Sequence, residues 1–222
     1  IIPQPAYNSY GPLVTLIGGK VVGVPLYEKN AFRLQAEDLE KAITPSSKLV
    51  ILNYPHNPTG AIMEKKDLEP IAEVIKKHNL YVVTDEIYSE LTYGKKHFSI
   101  AALPGMKERT IYISGFSKAF AMTGWRLGYI CAPKDAIAHI RKIHQYGSLA
   151  APTISQYAAL EALHSGQEET EKMKMAYDER RRYLIKALKE MALDCFAPEG
   201  AFYVFPCIKK TGLSSDEFID KL

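Results

Sequence analysis

The chain alternates short, unbroken apolar runs with stretches of helical periodicity. Lys48–Tyr54 (KLVILNY) and Leu80–Asp85 (LYVVTD) each hold four apolar residues in a row. A strand with no polar face must be covered on both sides, as in a parallel sheet between helices. Between these runs, Glu64–His78 puts Leu68, Ile71, Ala72 and Ile75 on one helical face,. Strand, helix and strand in that order make a parallel crossover unit. Pro70 is tolerable only near a helix start, so the regular part is expected to begin some residues after Glu64, and Asn79 suits the left-handed position that closes it. Lys20–Leu26, Thr110–Ser114 and Trp125–Cys131 also read as strands, and Leu34–Ile43, Lys134–Gln145 and Thr153–His164 as helices. The expected fold class is α/β, a mainly parallel sheet sandwiched by helices.

Ser165-Gly166 breaks this pattern. A long helix over about Glu168–Met191 follows, then a strand at Phe202–Cys207 and a helix opening at Ser214. The expected division is residues 1–165 as a large domain, then 166–222 as a bridging helix and the start of a smaller α+β domain. The run Arg180-Arg181-Arg182 reads as the solvated face of the long helix rather than an anion site. No methionine opens the chain and no stop signal follows the last helix, so the sequence reads as a piece of a longer protein.

Composition narrows the function. Hydrophobic residues make up 47% of the 222, which rules out disorder, and no apolar run approaches the length of a membrane span,. A net charge of +3 argues for no nucleic-acid partner,. Cys131, Cys195 and Cys207 are odd in number and widely spaced, so neither a disulfide framework nor a zinc site fits, and a reducing cytoplasmic setting is the default,. The six histidines lack metal-ligand spacing. There is no GxGxxG, no phosphate-binding GxxxxGK[ST] and no nucleophile elbow.

Three segments carry chemistry. In Gly115–Gly128 (GFSKAFAMTGWRLG), Lys118 lies just past an apolar strand among small and aromatic residues. A lysine cation is costly to bury, which lowers an amine's pKa, and a neutral amine in a pocket suits a Schiff-base nucleophile; a lysine at a strand end can also be a snorkelling surface residue. Arg126 falls on the next expected strand, where a buried guanidinium needs an anion such as phosphate. Asp85 closes LYVVTD, with Tyr88 three residues on. Ligands of α/β sheets bind at such strand ends, and turn or capping roles fit an aspartate there equally well. Asn53–Gly60 (NYPHNPTG) has two prolines and a glycine, making a rigid loop at another strand end,.

Together and in this order, these segments resemble the fold type I pyridoxal-phosphate (PLP) aminotransferases of class I/II, the group of the aspartate and aromatic aminotransferases. Gly115–Gly128 fits that family's lysine signature, NPTG and DEIY occur where the family has them, and the likeness runs from PAYNSY to GAFYVF. The resemblance implies a large PLP-binding domain and transfer of an amino group between an amino acid and a 2-oxo acid in a ping-pong cycle. It implies that Lys118 forms the Schiff base and moves the proton, that Asp85 pairs with the pyridine nitrogen, and that Asn57 and Tyr88 hydrogen-bond the phenolic oxygen. Tyr7 would stack on the ring, with a core aromatic as the alternative, and Arg126 would bind the phosphate. The family often has a phosphate-binding serine where this chain has Gly115; Ser114 or Ser117 is expected to take that contact. The Asn57-Pro58 bond is a candidate cis peptide.

Family chains extend beyond this one at both ends and form homodimers with shared sites, so the isolated 222 residues are expected to turn over little. A PLP-dependent C–S lyase on the same scaffold, or an aminotransferase-like effector domain of a transcription regulator, are the alternative readings.

Overall fold

The computed structural model describes all 222 residues. Strands β1 (Ile2–Gln4) and β2 (Gly23–Pro25) pair in parallel. The central sheet holds β3 (Leu49–Asn53), β4 (Tyr81–Asp85), β5 (Thr110–Gly115) and β6 (Gly128–Cys131) in that order, the first three parallel and β6 antiparallel to β5. The first pair continues the sheet past β3: the Ile1 amino group donates to the Leu49 carbonyl at 2.7 Å, and Ile51 N–H donates to the Ile1 carbonyl at 3.0 Å. A short antiparallel pair, β7 (Asp194–Cys195) and β8 (Pro206–Cys207), stands apart near the C-terminus. The helices are α1 (Tyr10–Leu16), α2 (Ala36–Ala42), α3 (Lys65–Lys77), α4 (Lys134–Gly147), α5 (Thr153–Ser165), α6 (Gln167–Glu190) and α7 (Ser215–Asp220).

Sequence explains the core. The Val50, Ile51, Leu52 and Asn53 positions of β3 are all buried, as a strand covered on both faces requires,. In β4, Val82 and Thr84 are buried while Val83 and Asp85 on the other face are less so. The main apolar cluster joins β2, β3 and β4 to α2 and α3, with Leu68, Ile71, Ala72 and Ile75 supplying the inner face of α3 as their spacing predicts. Each such side chain contributes roughly 1.5–3 kcal/mol on full burial. Asn79 takes the left-handed conformation, φ +49°, after α3.

Several local expectations differ. The helix around Pro70 begins at once, at Lys65, because the Asp67 carboxylate accepts from the Glu64 N–H at 2.9 Å and secures the first turn,. Pro70 sits within that helix on its exposed side. Lys20–Leu26 yields only the three-residue β2, and the strand β1 beside it carries no sequence signal of its own. The helix expected over Leu34–Ile43 is the shorter α2. Trp125 and Arg126 are not in a strand: Thr123–Trp125 is a 3-10 turn, Arg126 is left-handed at φ +52°, and β6 starts at Gly128. Phe202–Cys207 pairs only at Pro206–Cys207, because Phe202 and Tyr203 are spent on ring contacts with Tyr88, at 5.3 and 5.7 Å between centroids. The last helix opens at Ser214, whose hydroxyl accepts from Glu217 N–H, and stops at Asp220, short of Leu222.

Candidate active site

The site grows from the C-terminal ends of the parallel strands. Asn53 and Asp85 are register partners across β3 and β4. The Asn53 side chain donates to the Asp85 carbonyl at 2.9 Å and accepts from Asn57 N–H at 3.0 Å, tying the Asn53–Gly60 loop to the end of β4. The Tyr54-Pro55 and Asn57-Pro58 bonds in that loop are both cis, the second as expected, and Gln4-Pro5 is cis as well.

His56 braces the loop from behind. It is buried, stacked on Tyr54, and pushed down to a pKa of about 4 by that burial, so it is neutral. Its Nδ1 lies 2.7 Å from Thr59 Oγ1. His56 thereby braces the loop of Asn57 across its own turn.

A cavity of about 180 Å³ opens above these strand ends, walled by Tyr7, Tyr10, Asp85, Tyr88, Lys118 and Tyr203, with Asn53 and Asn57 at its floor. Asp85 Oδ2 accepts from the Tyr10 hydroxyl at 2.7 Å and Oδ1 from Ile87 N–H at 3.2 Å. Burial pushes the Asp85 carboxyl above its ordinary pKa; those two bonds hold it down and the neighbouring Glu86 charge adds to the rise. Burial, then the Asp85 charge, drives the Tyr10 phenol far up, so it stays a donor. Tyr88 is likewise raised, first by burial and then by its bond to Tyr203. Lys118 Nζ stands 5.3 Å from the Phe202 ring centroid and 5.8 Å from that of Tyr88, and neither a carboxylate nor a hydrogen-bond acceptor pairs with it.

The structure thus brings Tyr7, Asn57, Asp85, Tyr88 and Lys118 together. It does not bring the other expected residues to the cavity wall. Ser114 follows the alternation of β5 to the opposite face, where its hydroxyl donates to the Glu86 carbonyl at 3.3 Å and it lines an apolar groove against α4. Ser117 and Arg126 share the loop of Lys118: the Ser117 carbonyl accepts from the Thr123 hydroxyl at 2.8 Å, and Arg126 Nη1 donates to the Thr123 carbonyl at 2.6 Å. Arg126 is exposed, contrary to the expectation of a buried guanidinium, because the left-handed turn swings it out before β6 begins. Gly115 has a steric reason: a Cβ there would lie 2.8 Å from Gly128 Cα on the neighbouring strand.

Tyr10, Asn53 and Tyr203 are site residues that the sequence reading missed. Tyr10 lies three residues after Tyr7, and Asn53 ends a strand as Asp85 does, so both carried a usable signal. Tyr203 had none, since only the tertiary fold brings it to Asn57 and Tyr88.

This donor set can be tested against PLP. A buried carboxylate held by two donors suits a protonated pyridine nitrogen, and an amine with no anionic partner suits a carbonyl carbon. Asn57 and Tyr88 supply donors to one side of the cavity, and Tyr7 an aromatic wall. Arg126, which pairs with no carboxylate, is a free cation on the same loop as Lys118. The residues present fit the group.

Known proteins resemble this chain over nearly its whole length. The chain is 49% identical over 221 residues to an aspartate aminotransferase of Pyrococcus abyssi and 48% identical over 221 residues to aromatic-amino-acid aminotransferase 2 of Thermococcus litoralis, covering 98% of this chain and 57% of each relative. The crystal structure of an aromatic aminotransferase from Pyrococcus horikoshii superposes with a TM-score of 0.96 at 47% identity, over 99% of this chain and 60% of that one. The chain therefore spans somewhat over half the length of the relatives it matches. Residues 1–222 match the family profile of Aminotransferase class I and II from end to end. With Lys118 and Asp85 facing one cavity and this likeness on either side of them, the chain belongs to the class I and II aminotransferases, a PLP-dependent family.

Proposed function

We propose that this chain forms most of the catalytic unit of an aminotransferase that exchanges an amino group between an amino acid and a 2-oxo acid in ping-pong order. One observation carries the reading: Lys118, an amine without an anionic partner, and Asp85, a buried carboxylate, line the same cavity at the ends of parallel strands. PLP, when bound, supplies an electron sink for charge developing at the substrate Cα. Lys118 Nζ is the nucleophile that anchors the cofactor and the base that carries the Cα proton. Asp85 holds the proton on the pyridine nitrogen, and Tyr10 holds Asp85. Asn57 and Tyr88 would donate to the phenolic oxygen, Tyr7 would cover the ring, and Arg126 with Ser117, on the loop of Lys118, would hold the phosphate; Ser114, bonded to the Glu86 carbonyl, supports the strand.

The large unit is assigned to residues 1–165, and 166–222 to a bridging helix with the start of a smaller unit. The working assembly is a homodimer, which the exposed apolar side chains of α4 and α5 support. The three free cysteines support a cytoplasmic setting,. No helix is long and apolar enough to cross a membrane.

The test is borohydride reduction of the full-length protein with PLP, followed by peptide mapping. Label on Lys118 with amino-acid-dependent bleaching of the visible band is the expected result. Label elsewhere, or none, removes the reading. Pyruvate release without a 2-oxo acid acceptor would move it to a lyase.

A further inference from the structure

Tyr203 belongs to a segment that the fold registers with unusual care. Glu199 N–H and Gly200 N–H both donate to the Gly60 carbonyl at 2.9 Å, and Ala201 N–H donates to Leu91 at 2.8 Å. The Glu199 carboxylate meets Arg33 at 3.0 Å and Lys95 at 2.8 Å. Gly60, at φ +72°, has no room for a Cβ, which would lie 2.2 Å from Pro198 Cβ. Two residues beyond this clamp, the Tyr203 hydroxyl accepts from Asn57 Nδ2 at 3.2 Å and lies 2.5 Å from the Tyr88 hydroxyl.

Counting hydrogens gives this contact its meaning. The two phenols share one O–H between them, so whichever donates, one O–H is left over, and both line the cavity,. Asn57 Nδ2 keeps a second hydrogen. With Tyr203 donating to Tyr88, the contact fixes both phenols and leaves the Tyr88 O–H and the second Asn57 Nδ2 hydrogen free for the cavity. Hydrogen bonds in such a chain polarise one another, so the remaining donor is strengthened as well as aimed.

We propose that Tyr203 is a positioning residue that aims the Asn57 and Tyr88 donors into the cavity, so that donor strength at the ligand's oxygen is set by the segment following α6. The inference rests on the proposed PLP site. A donor on the cofactor's phenolic oxygen draws electron density away from the adjoining protonatable nitrogen. Loosening that donor raises the pH midpoint of the bound cofactor's visible absorbance.

The experiment compares wild type, Tyr203→Phe, Tyr88→Phe and the double variant of the full-length protein, each titrated with PLP and scanned over pH, with circular dichroism to check folding. Tyr203→Phe is expected to weaken PLP binding about tenfold, the loss of one hydrogen bond to a charged site, and to raise the midpoint, with a smaller effect in the Tyr88→Phe background. An unchanged midpoint, whatever the affinity, overturns the proposal, as does tighter binding or full additivity with Tyr88→Phe. Lys118 labelling in wild type separates the two failures: labelling with no Tyr203 effect sinks only this inference, while no labelling sinks the site itself.

Discussion

Asp85 concentrates the electrostatics of the cavity. Burial raises its carboxyl pKa above the ordinary value of 3.8. The folded state thus holds the proton more tightly than the unfolded chain, and stability falls as pH climbs from the ordinary carboxylate range through the raised value. At neutral pH, with no cation paired to it, the buried ionised Asp85 costs stability. Asp85→Asn is therefore expected to raise the melting temperature of the cofactor-free protein at pH 7, with the gain shrinking as pH falls below the ordinary carboxylate range. The same change should weaken PLP binding by about 10–100-fold, as expected for losing a charge-assisted bond. Thermal melts across pH and a PLP titration check both halves. Asp85 and Lys118 were legible in the sequence from strand ends, while Asn57, Tyr88 and Tyr7 were singled out through the family resemblance; all five line the cavity. Arg126 was misplaced because apolar neighbours on both sides made a left-handed turn look like strand. The face that Ser114 takes, away from the cavity and buried, follows from β5 parity, which depends on where the strand starts.

At the level of elements, legibility followed side-chain supply. β3, β4 and α3 carry enough consecutive or periodic apolar residues to bury a face, and they form nearly where expected. β1 and β2 have three residues each and are made by pairing with one another and with β3, which no local pattern reveals. Phe202–Cys207 is apolar throughout, as a buried strand would be, but its rings are claimed by Tyr88 and Tyr177. Within α3, Pro70 cannot donate to the carbonyl four residues back and points to solvent. Pro70→Ala should restore that bond and stabilise the protein by about 1–3 kcal/mol. Urea unfolding would show this as a higher midpoint at an unchanged slope, and a lower midpoint would mean that the ring packs usefully.

Over the whole molecule, the two faces of the sheet differ. The side toward α2 and α3 holds the main core. On the other side α4 buries no residue, and in α5 only Ser155 and Ala159 are buried, while Ile143, Tyr146, Tyr157 and Leu163 stand more than 60% exposed. Apolar surface of that extent marks an interaction site. Light scattering after size exclusion at micromolar concentration is expected to give a dimer mass. Tyr157→Lys with Leu163→Lys should shift the protein toward monomer without lowering helix content. An unchanged mass would place the contact elsewhere.

The clamp at Gly60 also has a timetable. Its carbonyl waits for Glu199 and Gly200, 139 and 140 positions later in the chain. At about 5–20 residues per second on the ribosome, the loop bearing Asn57 is made roughly 7–30 seconds before the segment that completes it. The nascent protein therefore gains its remaining strand ends during that interval with the Tyr203 brace still unmade, and capture of the cofactor in its final geometry is deferred until nearly all of these 222 residues have been synthesised.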